Sequence, residues 1–397
     1  MSAPLLLGFR IIVVEQYGAG PFGSMYLADL GAEVIKIESP VTGGDISRHT
    51  GPYFLGENDS HFFQTFNRNK RSLKLDLKQA EGRALFHKLV ATSDAVMNNL
   101  RGDLPATLGL DYASLKAINP RIVCAHLSAY GRDNSRASWP GYDYLMQAEA
   151  GYMALTGDPA SPPQRFGLSL VDFMTGVTCS TALLAALLGV SKRGTGCDVD
   201  VSLFDVALHQ MSYPATWYLN ERHITQRMPR SAHPSTVPCQ LYTTSDGWLF
   251  VMAMTEKFWD VLVDGVGRPE LKKDPRFVDF NTRRAHRAEL ETLLDEAFSA
   301  RTTAEWARLF EGRMPVAAVN SFEQALDNDY LYEIGMIQSL PHPQRGDLRV
   351  LANPIRVNGE RLPGAPCSPL GGDTEALLGE LGYNEADIAA LRAAAVV

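Results

Sequence analysis

Cysteine is scarce and scattered in this 397-residue chain. Cys124, Cys179, Cys197, Cys239 and Cys367 form no C-x-x-C pair. That argues against a zinc site or a disulfide framework, and for reduced thiols in a cytoplasmic protein. Long apolar runs are missing too: no stretch reaches about 18 uninterrupted apolar residues, so no transmembrane helix is expected. The N-terminus, MSAPLLLGFR, lacks a positively charged leader and runs straight into a strand pattern, unlike a secretory signal. Positive charge is not in excess: 37 Lys and Arg against 45 Asp and Glu give a net charge of −8. Nucleic acid and membrane are therefore not expected as partners. Internal repeats and low-complexity tracts are absent.

What is present reads as a folded protein of two or three domains, with 45% hydrophobic and 21% charged residues. Apolar runs FRIIVVE (9–15), EVIKIE (33–38), DAVMNN (94–99) and RIVCAHLS (121–128) predict buried strands, and SLKLDLK (72–78) alternates as a strand does. Helical patterns lie between them, as in EGRALFHKLV (81–90), so the fold class is α/β with a mostly parallel sheet. TGVTCSTALLAALLGV (175–190) predicts a buried helix. After a polar stretch at 221–240, a hairpin around Ser245–Asp246–Gly247 opens a second unit, with helices near 255–265 and 286–310.

Three features carry chemistry. Gly18-Ala19-Gly20-Pro21-Phe22-Gly23 fits G-x-G-x-x-G between a strand and a helix, with Glu38 at the end of the next strand. That is the context of a dinucleotide fingerprint, and equally of a tight strand-to-helix turn. Arg68, Lys70, Arg71, Lys74 and Lys78 crowd eleven residues, as an anion site or a solvated strand face. Asp172 precedes the apolar helix, either capping it or, kept ionised by the helix N-terminus, serving as a nucleophile toward an activated acyl group.

The segments QYGAGPFGSMYLADLGAEVIKIESPVTGGDISR (16–48), NRNKRSLKLDLK (67–78), GYDYLMQAEAGYMALTGDP (141–159), LVDFMTGV (170–177), KRGTGCDVDVSLFD (192–205) and PLGGDTEALLGELGY (369–383) occur in this order. Together they resemble the class III CoA-transferases of the CaiB/BaiF family. The resemblance implies a Rossmann-like large domain with a parallel sheet, a smaller α+β domain, and a homodimer of interlocked subunits. The bounds expected are 1–220 for the large domain, 221–335 for the small domain with linkers, and 336–397 for a segment returning to the large one.

It also implies that Asp172 is the nucleophile and becomes a CoA thioester. The CoA thioester is then substrate, with no tightly bound cofactor and no metal. CoA contacts carry over to Gly18 and Ala19, to Leu75, Asp76, Leu77 and Lys78, to Asn99, Leu100 and Arg101, and to Leu127, Ser128, Ala129 and Tyr130. The formyl-CoA:oxalate branch has other residues where Gly18, Ser39 and Thr107 stand. The related racemases carry a histidine where Tyr142 stands. HPSTVPCQ (233–240) is similar to branches that pair succinyl-CoA with small dicarboxylates such as itaconate. Gln16, Tyr17, Arg48, His233 and Gln240 are the expected contacts to such an acid.

Overall fold

A computed structural model describes residues 4–397. The chain divides into two compact units. The first comprises Met1–Ala150, Phe166–Ser212 and Tyr330–Val397, and the second Gly151–Arg165 and Tyr213–Asp329. Against the expected 1–220, 221–335 and 336–397, the second unit opens at Tyr213, closes at Asp329 and takes in Gly151–Arg165. The loop-like LTGDPASPPQR of that insertion gives no sign in sequence of where it belongs.

The strand runs of the first unit form one six-stranded parallel sheet. Its strands are β1 (Arg10–Val14), β2 (Glu33–Glu38), β3 (Lys70–Lys74), β4 (Ala95–Asn98), β5 (Val123–Ser128) and β6 (Cys197–Ser202), in the order β3-β2-β1-β4-β5-β6. Ile12 pairs with Ile35 on one side and Val96 on the other. These strands read as continuous apolar runs because both faces of the sheet are covered. On one face Ile12, Ile35, Val96 and Cys124 pack against Leu85, Phe86 and Leu89 of α2 (Ala80–Ala91) and against Leu377, Leu378 and Ile388 near the C-terminus.

The strand expected at 72–78 ends at Lys74. The Leu75 amide still reaches the Glu38 carbonyl at 3.0 Å, but the Asp76 amide turns to the Val396 carbonyl at 2.8 Å. The Asp76 side chain then accepts the Lys78 amide at 3.0 Å, which closes a turn.

The other face carries α1 (Ala19–Asp29) and the core helix α4 (Leu170–Arg193), preceded by α3 (Asp143–Glu149). By length and apolar content α4 passes as a membrane span, although its sequence holds no uninterrupted run of that length. It buries Val171, Thr175, Cys179, Leu183 and Val190 and packs on α1, β5 and β6. Two glycines bring α1 and α4 together: a Cβ on Gly23 falls 2.4 Å from the Gly176 carbonyl oxygen, and one on Gly176 falls 2.4 Å from that of Ala19. We predict that Gly176→Ala lowers the unfolding midpoint in urea, at a cost of roughly 1–3 kcal/mol for forcing the helices apart. An unchanged midpoint would mean that the crossing is soft.

In the second unit β7 (Cys239–Thr243), β8 (Trp248–Met252) and β9 (Val316–Ala318) form an antiparallel sheet, with the hairpin at the expected turn. Its helices include α5 (Glu256–Gly265), α6 (Arg287–Phe298) and α7 (Thr303–Phe310). The stretch expected as helix at 286–310 breaks before Thr302, whose side chain and Glu305 form a reciprocal capping box that starts a new helix.

Candidate active site

The direction of strand succession reverses between β1 and β4, and open parallel sheets hold ligands beyond the carboxyl ends of their strands at such a point. Here the loop after β1 (Glu15–Gly18) meets the loop after β4. The Asn99 side chain accepts the Gln16 amide at 3.0 Å and donates to the Gln16 carbonyl at 2.7 Å. Asn99 thus acts as one more strand partner for a chain that has left the sheet. Gln16 and Tyr17 are exposed beside a buried Gly18.

The three glycines of the G-x-G-x-x-G motif each make room for a different neighbour. A Cβ on Gly18 would stand 2.6 Å from Asp172 Oδ2, one on Gly20 2.8 Å from the Asn99 Cβ, and the third position is the helix crossing at Gly23. Glu38, the acidic residue that completes a dinucleotide fingerprint, is buried and occupied. Arg48 holds both its oxygens at 2.7 and 2.8 Å, Ser72 donates to it at 2.6 Å and the Asp45 amide at 3.0 Å. No oxygen of Glu38 is left for a ribose. The motif therefore opens the space around Asp172 and is not completed as a nicotinamide site.

Asp172 does not cap α4. The helix begins at Leu170 after Ser169, so Asp172 sits inside the first turn. The amide of Asp172 donates to Asp143 Oδ2 at 3.0 Å, so the helix end is satisfied by a carboxylate from α3. Gln147 fixes that carboxylate, donating to Asp143 Oδ1 at 2.6 Å, while its own oxygen accepts the Phe166 amide at 2.8 Å. Asp143 was not singled out from sequence. The Asp–Gln pair four apart in GYDYLMQ was the readable sign.

Among the described residues no group donates a hydrogen bond to the half-buried Asp172 carboxylate. Burial, followed by the charge of Asp143, pushes its pKa up to about 7. Burial and the Asp143 charge thus work against the ionised form that the helix N-terminus favours. A carboxylate that is more basic than usual and poorly solvated can act as a nucleophile, and this one lies directly against the Gly18 main chain, in the space a side chain there would fill.

The other expected contacts fall into two groups. Leu75–Lys78 follow β3, Asn99–Arg101 follow β4, and Leu127–Tyr130 span the last two residues of β5 and the two after it, all at the same carboxyl edge as Gly18 and Ala19. Within that edge Leu75, Leu77 and Leu127 are buried, Ser128 accepts the Gly131 amide at 2.9 Å, and Tyr130 donates to Glu149 at 2.7 Å. Leu100 packs on the core and Arg101 pairs with Asp103 at the surface.

The basic cluster is mostly spent on structure. Arg68 pairs with Asp29 at 2.7 Å, Lys70 with Glu15 at 2.8 Å, and Arg71 with Glu33 and Glu380. Lys74 and Lys78 have no ion pair among the described residues.

Arg48 is not a free clamp for a substrate carboxylate, because it is fully buried on Glu38. His233 and Gln240 belong to the second unit. His233 Nδ1 accepts the amides of Ser235 and Thr236 at 3.2 and 3.1 Å, and Arg287 donates to its carbonyl at 2.8 Å. Gln240 is fully buried, with its oxygen 3.4 Å from Arg287. His233 is thus engaged in ordering that loop, whereas the buried Gln240 Nε2 has no hydrogen-bond partner among the described residues. Among the described residues no group of three or more His, Cys, Asp or Glu is placed to hold a metal ion.

The family model described as CoA-transferase family III matches residues 6–374. An acyl-CoA transferase of Fusarium pseudograminearum is 35% identical over 402 residues, covering 98% of this chain and 87% of that protein. A succinate–glutarate CoA-transferase of Agrobacterium fabrum is 33% identical over 335 residues, covering 81% of each. Among solved structures, a CaiB/BaiF family protein of Brucella suis superposes with a TM-score of 0.81 at 32% identity, over 95% of this chain and 99% of that one.

Proposed function

The chain belongs to CoA-transferase family III, and on that premise we propose that it moves CoA from succinyl-CoA to a small dicarboxylic acid, itaconate or a C5 relative, through a thioester on Asp172. The observation that carries the reading is the Asp172 carboxylate. It is half-buried, free of side-chain donors among the described residues, raised in pKa to about 7 and seated against the Gly18 main chain, where no side chain could fit. The dicarboxylate rests on the Agrobacterium relative, named for succinate and glutarate.

In the first step an Asp172 oxygen attacks the donor thioester carbonyl. The C–S bond breaks, CoA leaves as thiolate, and a mixed anhydride remains. The thiolate then attacks the Asp172 carbonyl, the donor acid departs as carboxylate, and Asp172 carries CoA. The acceptor carboxylate attacks that thioester, and CoA returns to the acceptor through a second anhydride. Each attack builds an oxyanion. The first amides of α1, on Ala19 and Gly20, have no intrahelical acceptor and lie next to the gap at Gly18. Water would hydrolyse the anhydride, so its exclusion is part of the reaction.

The reading extends to a cytoplasmic homodimer of interlocked subunits, which the family resemblance implies and the five free, separated cysteines suit. It needs no tightly bound cofactor. The test is a transfer assay with succinyl-CoA and itaconate, mesaconate, citramalate, malate, glutarate or oxalate, with CoA esters resolved by chromatography and Asp172→Ala run alongside. A new ester made by wild type and not by the variant is expected. Equal transfer by the variant sinks the mechanism, and transfer only to oxalate sinks the proposed acceptor.

A further inference from the structure

The main chain that leads into Gly18 is pinned at three successive residues by side chains. Lys36 Nζ donates to the Glu15 carbonyl at 3.0 Å, Asn99 takes both the amide and the carbonyl of Gln16, and Asp45 Oδ1 accepts the Tyr17 amide at 3.0 Å. Two of the pins are one unit, because Lys36 Nζ lies 2.8 Å from Asp45 Oδ2 and both side chains are fully buried. Asp45 Oδ1 also accepts the Ser47 amide and hydroxyl at 2.9 and 2.8 Å, which fixes the carboxylate in one orientation.

Tyr17 itself stands at φ 70, in the left-handed region that a side chain of its kind rarely enters. Such a conformation persists where the surroundings over-determine it, and it clusters at functional sites. The next residue is Gly18, against which Asp172 Oδ2 lies.

We propose that Asp45, ion-paired to Lys36, is a positioning residue for the transfer: it holds Tyr17 in its left-handed backbone so that the Gly18–Gly20 main chain is presented to Asp172. The inference rests on Asp172 as nucleophile. Asp45 touches no reacting atom. Relaxation of Tyr17 toward negative φ would redirect the peptide that follows and swing the first amides of α1 away from the carbonyl of the thioester.

The sharp variant is Asp45→Asn. An amide has a single acceptor oxygen, so it cannot face both Lys36 and the Tyr17 amide, and one pin is lost at almost no change in shape. We expect kcat to fall on the order of 10²-fold with KM for succinyl-CoA within about threefold, since a small misplacement near the chemistry has that effect. The Asp172–CoA adduct seen by mass spectrometry should fall in step.

A pair of secondary variants separates conformation from general damage. Tyr17→Gly and Tyr17→Ala both lose the ring, but only glycine accepts positive φ freely. In the Asp45→Asn background the glycine variant should exceed the alanine variant about tenfold in kcat. With Asp45 intact the two should lie within about threefold.

Equal kcat for the two in the Asp45→Asn background, or wild-type kcat for Asp45→Asn, overturns the proposal. If Asp45→Asn does not fold, hydrogen exchange on the wild type decides: a protected Tyr17 amide supports the pin and a freely exchanging one overturns it. An active Asp172→Ala sinks the nucleophile and the positioning together. An inactive one, beside an undisturbed Asp45→Asn, sinks the positioning alone.

Discussion

Asp172→Asn abolishes CoA transfer, with a loss on the order of 10⁴-fold or more in kcat, and leaves the protein folded. The amide keeps the size of the side chain, and the contact that starts α4 runs from the Asp172 main-chain amide to Asp143, which the substitution does not touch. What disappears is the attacking oxygen, and no neighbouring carboxylate replaces it, because Asp143 is committed to that amide and to Gln147. Loss of a nucleophile on this scale is what removing a covalent catalyst produces.

The same carboxylate sets the pH profile. Burial and the Asp143 charge raise its pKa to about 7, so the reactive ionised form is a minority below that value. kcat/KM should rise about tenfold per pH unit well below pH 7, bend near pH 7 and level off above it. Asp143→Asn removes the second cause of the shift, so the inflection moves to lower pH while burial keeps it above an ordinary aspartate. A rate that stays flat from pH 5 to 8 would mean that Asp172 is fully ionised throughout.

The sheet was legible in sequence because parallel strands covered on both faces must be apolar throughout, as RIIVV and VCAHLS are. The site was legible only in part. Local spacing located Asp172 and the glycine turn but left two roles open for each, and the fold removes the cap from one and the dinucleotide fingerprint from the other. The cap of α4 comes from Asp143, 29 residues earlier in the chain, and the Asp–Gln spacing in GYDYLMQ marks that pair without tying it to α4.

The same holds for charge. Arg68, Lys70 and Arg71 look like a free basic cluster until the fold brings Asp29, Glu15 and Glu33 to them from separate elements. Nothing local in sequence gives Asp45 a role, since its partners Lys36 and Tyr17 become its neighbours only when β2 lies beside β1.

Arg48→Met should destabilise the first unit by about 3–5 kcal/mol, the cost of breaking a buried ion pair and stranding its partner. Arg48 is fully buried, grips Glu38 through two bonds, donates to the carbonyls of Asn58 and Ser368 at 3.2 Å each, and lies 3.7 Å above the Phe63 ring. It therefore ties β2 to two distant segments of chain. A lysine there supplies one point of charge and not the two-pronged fork, so Arg48→Lys should recover only part of the loss.

The partner left behind dictates the pH dependence. In the wild type burial pushes the Glu38 pKa up, but the Arg48 bonds, with the Lys36 charge and the Ser72 hydroxyl, together outweigh it and hold Glu38 below its ordinary value. That stabilisation is complete above the unfolded value and is lost as pH falls through the folded one. Without Arg48, burial dominates and the Glu38 pKa rises, so the penalty is felt above the new value and relieved below it. The gap in unfolding midpoint between wild type and Arg48→Met should narrow toward pH 4, and Glu38→Gln should restore much of the loss at pH 7 by removing the stranded charge. If Arg48 instead gripped the second carboxylate of a substrate, the variant would melt like wild type and show only a raised KM for the acid, an outcome that the occupied guanidinium argues against.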